Sequence, residues 1–388
     1  MKIRSVDAAW LHCPLDPARQ HVSDFGRLTA FDAVLVTITT DDGLVGFGEA
    51  KPAVGSAGNG AALVAIVEQE LRPQLVGQDA RQISRAWGRG YNGTRAGHAE
   101  RQGRAMPVLG RRGAHTAALS GVDLALWDLL GKAHGCTVLE LLGGACRDRI
   151  PAYASGGWAD AQTIGEELGR YTQQGFRAIK MRIGAMDGSV AASLARVRAA
   201  RDAIGPGVEL MVDAHGTMNV AEAKRFCHGA AELELRFVEE PVASDDRRGL
   251  AEVRAQSPLP IAAGESEAAS FDFAELLEAR AIDVLQPDLA IAGGLTEGLR
   301  IGALAHAHRL SLAPHCWGSA ISFQAGRTLA FACPAGVFVE VPMGGAPLLR
   351  EMTNIDLALH DGTMLPPTGP GFGVEPDAEF VRRYTVKL

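Results

Sequence analysis

No CxxC pair occurs among the six cysteines Cys13, Cys136, Cys146, Cys227, Cys316 and Cys333, which argues against a zinc cluster or a dithiol redox motif. Their scatter suggests no disulfide framework either, so a reducing compartment, the cytoplasm, is expected. No apolar run reaches the roughly 18 residues that a membrane span needs. The opening MKIRSVDAAWLHC alternates like a strand and lacks the features of a signal peptide. A basic excess is also missing. Lys and Arg number 38 against 45 Asp and Glu, a formal charge of −7, which argues against non-specific binding to nucleic acid or a membrane surface. The one local basic cluster, Arg101, Arg104, Arg111 and Arg112, reads as a solvated or subunit-facing loop. Low-complexity segments and long linkers are absent.

What remains is an ordinary globular balance, 47 % hydrophobic and 21 % charged over 388 residues, with room for two domains or for a large barrel and a smaller partner. The first third pairs strand patterns with helical ones. MKIRSVDAAWLHC and FDAVLVTITTDDGLVGFGEA read as antiparallel strands, the latter turning at Asp41-Asp42-Gly43. Ala61 to Leu71 and Ala117 to His134 follow helical spacing. Together they form an α+β module. From about Ile150 short apolar runs alternate with helical stretches: PAYASGG, RAIKMRIG, VELMVDA, LRFVEEP, LPIAAGES, IDVLQPD, LSLAPH and VFVEVP. Eight strands alternating with helices predict parallel βαβ units closed into a barrel. The polar tail ending FVRRYTVKL is expected to return to the first module.

Almost every predicted barrel strand ends in a polar residue. Asp213, Glu239, Glu265, Asp288 and His315 recur at intervals of 23 to 27 residues, and Glu340 ends the last strand. Residues one βα unit apart at strand C-termini converge on the barrel mouth, where such folds place their sites. Asp213, Glu239 and Glu265 cannot sit together as bare anions. A hard divalent cation resolves the repulsion, and an all-oxygen donor set points to Mg²⁺ first and Mn²⁺ second. Lys180 and Arg182 stand two apart on one strand and so share a face, which aims both cations at the same mouth. Asp288 and His315 lie on adjacent strands. A carboxylate on one imidazole nitrogen fixes the tautomer and makes the other nitrogen a general base.

On these residues the chain resembles the enolase superfamily, mandelate racemase subgroup. The motifs that carry the resemblance are SGVDLALWDLLGK, KMR, VDAH, VEEP, GES, QPD, APHCWG and the strand-8 glutamate, and they run over nearly the whole chain. The resemblance implies an α/β fold, a modified TIM barrel (β/α)7β with an α+β capping domain built from the N-terminal segment and the C-terminal tail. It divides the chain into residues 1–130, 131–355 and 356–388. It implies Mg²⁺ on Asp213, Glu239 and Glu265, His315 with Asp288 as the base that removes a proton α to a carboxylate, and Glu340 as hydrogen-bond partner of the enediolate. It also implies a homo-oligomer, dimer to octamer.

Two departures shape the functional expectation. Many members carry K-x-K where this chain has Lys180-Met181-Arg182, and D-x-N where it has Asp213-Ala214-His215. Guanidinium stays protonated at neutral pH, so Arg182 cannot serve as a second base. It can stabilise the anion or grip the carboxylate. Lys180 is expected to contact the substrate carboxylate and remains a candidate second base. One-base chemistry fits a Mg²⁺-dependent dehydratase that converts an aldonate or aldarate to a 2-keto-3-deoxy acid. Either His315 or His215 would protonate the departing hydroxyl, unless His215 only replaces the usual Asn as a support. His21 and Arg27 in RQHVSDFGR, with residues of KPAVGSAGNG, are candidates for the distal end of the substrate; the alternative for each is a solvated loop residue. The competing readings are an epimerase or lactone cycloisomerase on related acids and, from another class, a non-catalytic small-acid binding protein.

Overall fold

The structure, a computed structural model, describes residues 1–24, 26–53, 58–93, 101–103 and 111–388. The N-terminal module is a three-stranded antiparallel sheet in the order β1 (Ile3–Pro14), β4 (Ala30–Thr40), β5 (Val45–Ala50), with a small hairpin of β2 (His21–Ser23) and β3 (Gly26–Leu28) inserted between its first two strands. Gly43 closes the β4–β5 turn with φ +88°, a region open to glycine. Alternation along β4 buries both of its faces. Val34, Val36 and Ile38 point into a core shared with the module's helices. Phe31, Ala33 and Leu35 point into the core of the rest of the molecule.

The helix Ala114–His134, which begins three residues before the periodicity predicts, is buried along most of its length and packs directly on β5. Gly46 and Gly48 permit this approach. A Cβ at Gly48 would stand 1.9 Å from the carbonyl oxygen of Gly121, closer than any real contact. The helix stops at Gly135, which is left-handed.

Eight parallel strands follow: β6 (Ile150–Gly156), β7 (Ala178–Arg182), β8 (Glu209–Asp213), β9 (Leu235–Glu239), β10 (Ile261–Ala263), β11 (Val284–Leu285), β12 (Ser311–Leu312) and β13 (Val339–Pro342). They pair in sequence, with β13 beside β6. A parallel bridge from Leu312 to Gly336 joins the remaining edges. β11 and β12 are short because Pro287 and Pro314 follow closely, and proline has no N–H to give to a ladder. The two chains nevertheless stay side by side as far as a bridge between Asp288 and His315.

Period-2 alternation sorts the barrel interior into layers. Tyr153, Ala178, Met211, Phe237, Val284, Ala313 and Phe338 form an apolar floor. Two residues further along the same strands come Ser155, Lys180, Asp213, Glu239, Gln286, His315 and Glu340. β10 alone breaks the step. Ala262 lies in the floor, and Gly264, with φ +136°, turns the chain so that Glu265 takes the upper position. The tail adds β14 (Thr363–Met364) antiparallel to β6 and then returns to β1, where Val386 N–H donates to the carbonyl of Trp10 at 2.8 Å. Among the described residues no helix is long and apolar enough to cross a membrane.

Candidate active site at the barrel mouth

The strand ends bring together the three carboxylates that the spacing singles out. Asp213, Glu239 and Glu265 are all at least 97 % buried and offer oxygens within 4.8 Å of one another. Lys180 and Arg182 offset part of their charge. Lys180 Nζ stands 2.5 Å from Glu239, 3.0 Å from Glu340 and 3.5 Å from Asp213. Arg182 pairs directly with Asp213 and reaches Ser155 Oγ at 3.4 Å. Burial pulls the Lys180 ammonium down, but Glu239 and Glu340 outweigh it and hold the group above the ordinary lysine value. Lys180 is fully buried and lies outside the lining of the cavity above, so the expected contact with a substrate carboxylate is not preformed.

Two histidine–aspartate pairs face this cluster. His315 Nδ1 bonds Asp288 Oδ2 at 2.7 Å, and its Nε2 lies 3.2 Å from Glu265. Burial lowers the basicity of His315, yet Glu265 and Glu340 turn the balance and raise it. Asp288 is itself held below the ordinary range, because Lys51 and His315 outweigh its burial. His215 Nδ1 meets Asp24 at 2.9 Å, and its Nε2 lies 3.4 Å from Asp213. Its φ of +46° is rare for a residue with a side chain. The same turn lets its own N–H donate to Asp213 Oδ1 at 2.9 Å. Burial and then Arg182 lower the His215 pKa, the opposite direction from His315.

A cavity of about 470 Å³ covers these groups, lined by His215, Glu265, Arg182 and His315 on the barrel side and by His21 and Arg27 on the capping side. His21 stacks on Trp158 with ring centroids 4.0 Å apart. Burial, then Arg182, pushes its pKa down to about 4, so it presents a neutral ring. Ala53 and Gly58 line the cavity as well, while residues 54–57 of KPAVGSAGNG lie outside the described residues. Glu340 is fully buried beneath the cavity and accepts the N–H of Cys316 at 2.9 Å. Lys180, His315 and Arg182 overcome its burial and keep it ionised, an acceptor rather than a donor in this state. In the basic cluster, Arg111 pairs with Glu70, and Arg112 with Asp272 and Glu275; Arg104 lies outside the described residues.

Several site residues give no periodic signal in the sequence. Lys51 reaches Asp288 from the capping module at 2.5 Å. Glu49 caps the chain at Ser319 and Ser322. Gln286 Nε2 holds Glu239 Oε2 at 2.5 Å. Asp24 sits inside RQHVSDFGR, the segment that supplies His21 and Arg27, and a carboxylate between two such residues was the one available hint. The carboxylate trio fits a hard divalent cation: all donors are oxygen, all are buried, and Lys180 and Arg182 now supply the positive charge that such an ion would bring.

Two family models match most of the chain. Residues 6–143 match the mandelate racemase / muconate lactonizing enzyme N-terminal domain family, and residues 163–380 match the enolase C-terminal domain-like family. The chain is 34 % identical to a D-galactarolactone cycloisomerase of Agrobacterium fabrum, covering 97 % of this chain and 96 % of that one. It is 36 % identical to a D-galactonate dehydratase of Pectobacterium atrosepticum, covering 90 % of each. A crystal structure of a racemase from Streptomyces coelicolor with bound magnesium superposes with TM-score 0.84 at 29 % identity, over 99 % of this chain and 100 % of that one.

Proposed function

Because this chain belongs to the mandelate racemase / muconate lactonizing enzyme family of the enolase superfamily, we propose that it is an acid-sugar dehydratase, which converts an aldonate or aldarate to a 2-keto-3-deoxy acid. One observation carries the reading. On the barrel side the cavity holds two imidazoles, His315 and His215, each with Nδ1 on a carboxylate, beside a guanidinium that cannot accept a proton. One base and one acid suffice for β-elimination.

In this reading Asp213, Glu239 and Glu265 hold Mg²⁺. The ion would supply a Lewis acid against which the charge of the substrate carboxylate builds. His315, held in the Nδ1–H tautomer by Asp288, takes the α-proton on Nε2. Lys180 and Arg182 provide fixed positive charge where negative charge develops. His215, oriented by Asp24, gives a proton to the departing β-hydroxyl. For it to act, His215 must carry a proton on Nε2, drawn from solvent, and the proton that His315 removes goes back to solvent or to the β-carbon as the enol tautomerises to the 2-keto acid, so that each turnover balances. His21, Arg27 and Trp158 bound the distal end.

A lactone cycloisomerase shares the first step, and the similarity to the Agrobacterium enzyme over almost the whole chain supports that second reading. Proton NMR of the protein in D₂O with Mg²⁺, sugar acids of four to six carbons and galactarolactone separates the two. A deuterated 2-keto-3-deoxy product is expected. Exchange at the α-carbon without loss of hydroxyl, or ring opening of the lactone, overturns dehydration.

A further inference from the structure

Lys51 is a fully buried lysine contributed to the base pair from outside the barrel. It follows β5 directly, and its side chain is 0 % exposed. A buried ammonium is costly unless it is paired and hydrogen-bonded. This one stands 2.5 Å from Asp288 Oδ2 and also donates to the carbonyl of Trp317. Asp288 Oδ2 is the same oxygen that takes the His315 Nδ1 bond at 2.7 Å. The other oxygen, Oδ1, accepts the N–H of Ala290 at 2.8 Å. Three donors therefore fix both oxygens of the carboxylate that orients the base, and one of the three comes from the capping module.

The backbone repeats the connection. Lys51 N–H donates to the carbonyl of Ala290 at 3.1 Å. Two residues earlier, Glu49 accepts Ser319 N–H at 3.0 Å, Ser319 Oγ at 2.5 Å and Ser322 N–H at 3.1 Å. The end of β5 thus holds both loops that carry the pair, the one with Asp288 and the one running from His315 to Ser319. Lys51 does not line the cavity, so it neither binds substrate nor moves its proton.

We propose that Lys51 is a positioning residue for proton abstraction, the third member of a Lys51–Asp288–His315 assembly that is complete only when the capping module is docked. The inference rests on the assignment of His315 as the base. Trp317, the other acceptor, is held separately through Nε1 to Ser155 at 2.9 Å and by stacking on Phe31. Loss of Lys51 therefore falls first on Asp288 and the ring it aims.

The test compares the full-length Mg²⁺-loaded protein with Lys51→Met, which keeps length and loses charge, and with Lys51→Arg. Exchange of the substrate α-proton into D₂O is the readout. Lys51→Met is expected to lower kcat roughly 10- to 100-fold, the size of loss found when an outer partner that orients a metal-bound histidine is removed. KM should change less than about threefold. Lys51→Arg should recover most of the loss. In an Asp288→Asn background Lys51→Met should cost less than about twofold more, since both changes remove one interaction. An unchanged kcat in a folded variant, a loss confined to KM, or full additivity with Asp288→Asn overturns the proposal. Where Lys51→Met does not fold, Lys51→Gln replaces it. If the wild type exchanges no sugar acid, the functional reading fails on its own. The imidazole ¹⁵N resonances of His315 then decide this proposal: one Nδ1–H tautomer in wild type and a mixture in the variant are expected, and an identical spectrum overturns it.

Discussion

In the proposed reading Arg182 takes the place of a base for the second face of the α-carbon. It lines the cavity and pairs with Asp213, and its proton is not available for exchange. Arg182→Lys replaces it with an amine that can lose a proton, and is expected to admit exchange from both faces. Chiral analysis of substrate recovered from D₂O would show a second α-epimer that wild type does not make; its absence would remove Arg182 from the control of stereochemistry. His215 poses the complementary question. It follows Asp213 closely enough to bond it through the backbone, so it could be a support rather than an acid. His215→Asn keeps a hydrogen-bonding side chain and removes the acid. α-Proton exchange should survive within about tenfold while elimination falls by about 10² or more. Equal loss of both would make His215 a support.

The helix Ala114–His134 shows how an element carries chemistry it does not perform. Its Asp123 is 1 % exposed and accepts Thr296 N–H at 2.9 Å and Thr296 Oγ at 2.6 Å, which fastens the helix to the chain after β11. Burial pushes its carboxyl up to about 7 against those two donors. In the unfolded chain the group ionises near its ordinary value of 3.8. Between the two values the folded protein retains a proton that the unfolded chain has lost. Its contribution to stability is therefore complete below about pH 4 and is lost as pH rises through about 7. Asp123→Asn has no such proton. The melting temperature of the variant relative to wild type should climb from pH 4 to pH 7 and then level off; a constant difference would mean that Asp123 is ionised throughout. Element by element, what the sequence makes legible follows the strand period. An apolar residue followed two later by a polar one, as in Ala178–Lys180, Met211–Asp213, Phe237–Glu239 and Ala313–His315, places floor and site together, and the wall of carboxylates and cations can be read from it. The partners that aim those groups cannot. Lys51 and Asp288 are separated by 237 residues, and Asp24 and His215 by 191, and nothing in a local pattern pairs residues across two modules.

At the scale of the whole molecule the capping module and barrel share one core, in which Leu11, Phe31 and Leu35 pack with Trp317, Leu348 and Phe372. The same contact carries His21, Asp24, Arg27, Glu49 and Lys51 to the barrel mouth, so folding of the two parts and assembly of the site are one event. The electrostatic balance of that mouth sets its response to metal. Asp213, Glu239, Glu265, Asp288 and Glu340 face Lys51, Lys180 and Arg182 with two imidazoles, an excess of negative charge in a buried space. Binding of a divalent cation to the folded state alone stabilises it by about 2.7 kcal/mol at a hundred times its dissociation constant. For a chain of this size that is a rise in melting temperature of several degrees. Mg²⁺ added to chelator-treated protein should produce that rise, Mn²⁺ should do so too, and Asp213→Asn should abolish it. The rise should shrink in acid, where ligand carboxylates take up protons. A shift that survives in Asp213→Asn would place the ion elsewhere, and the absence of any shift in wild type would leave Lys180 and Arg182 as the permanent counter-charges of the three carboxylates.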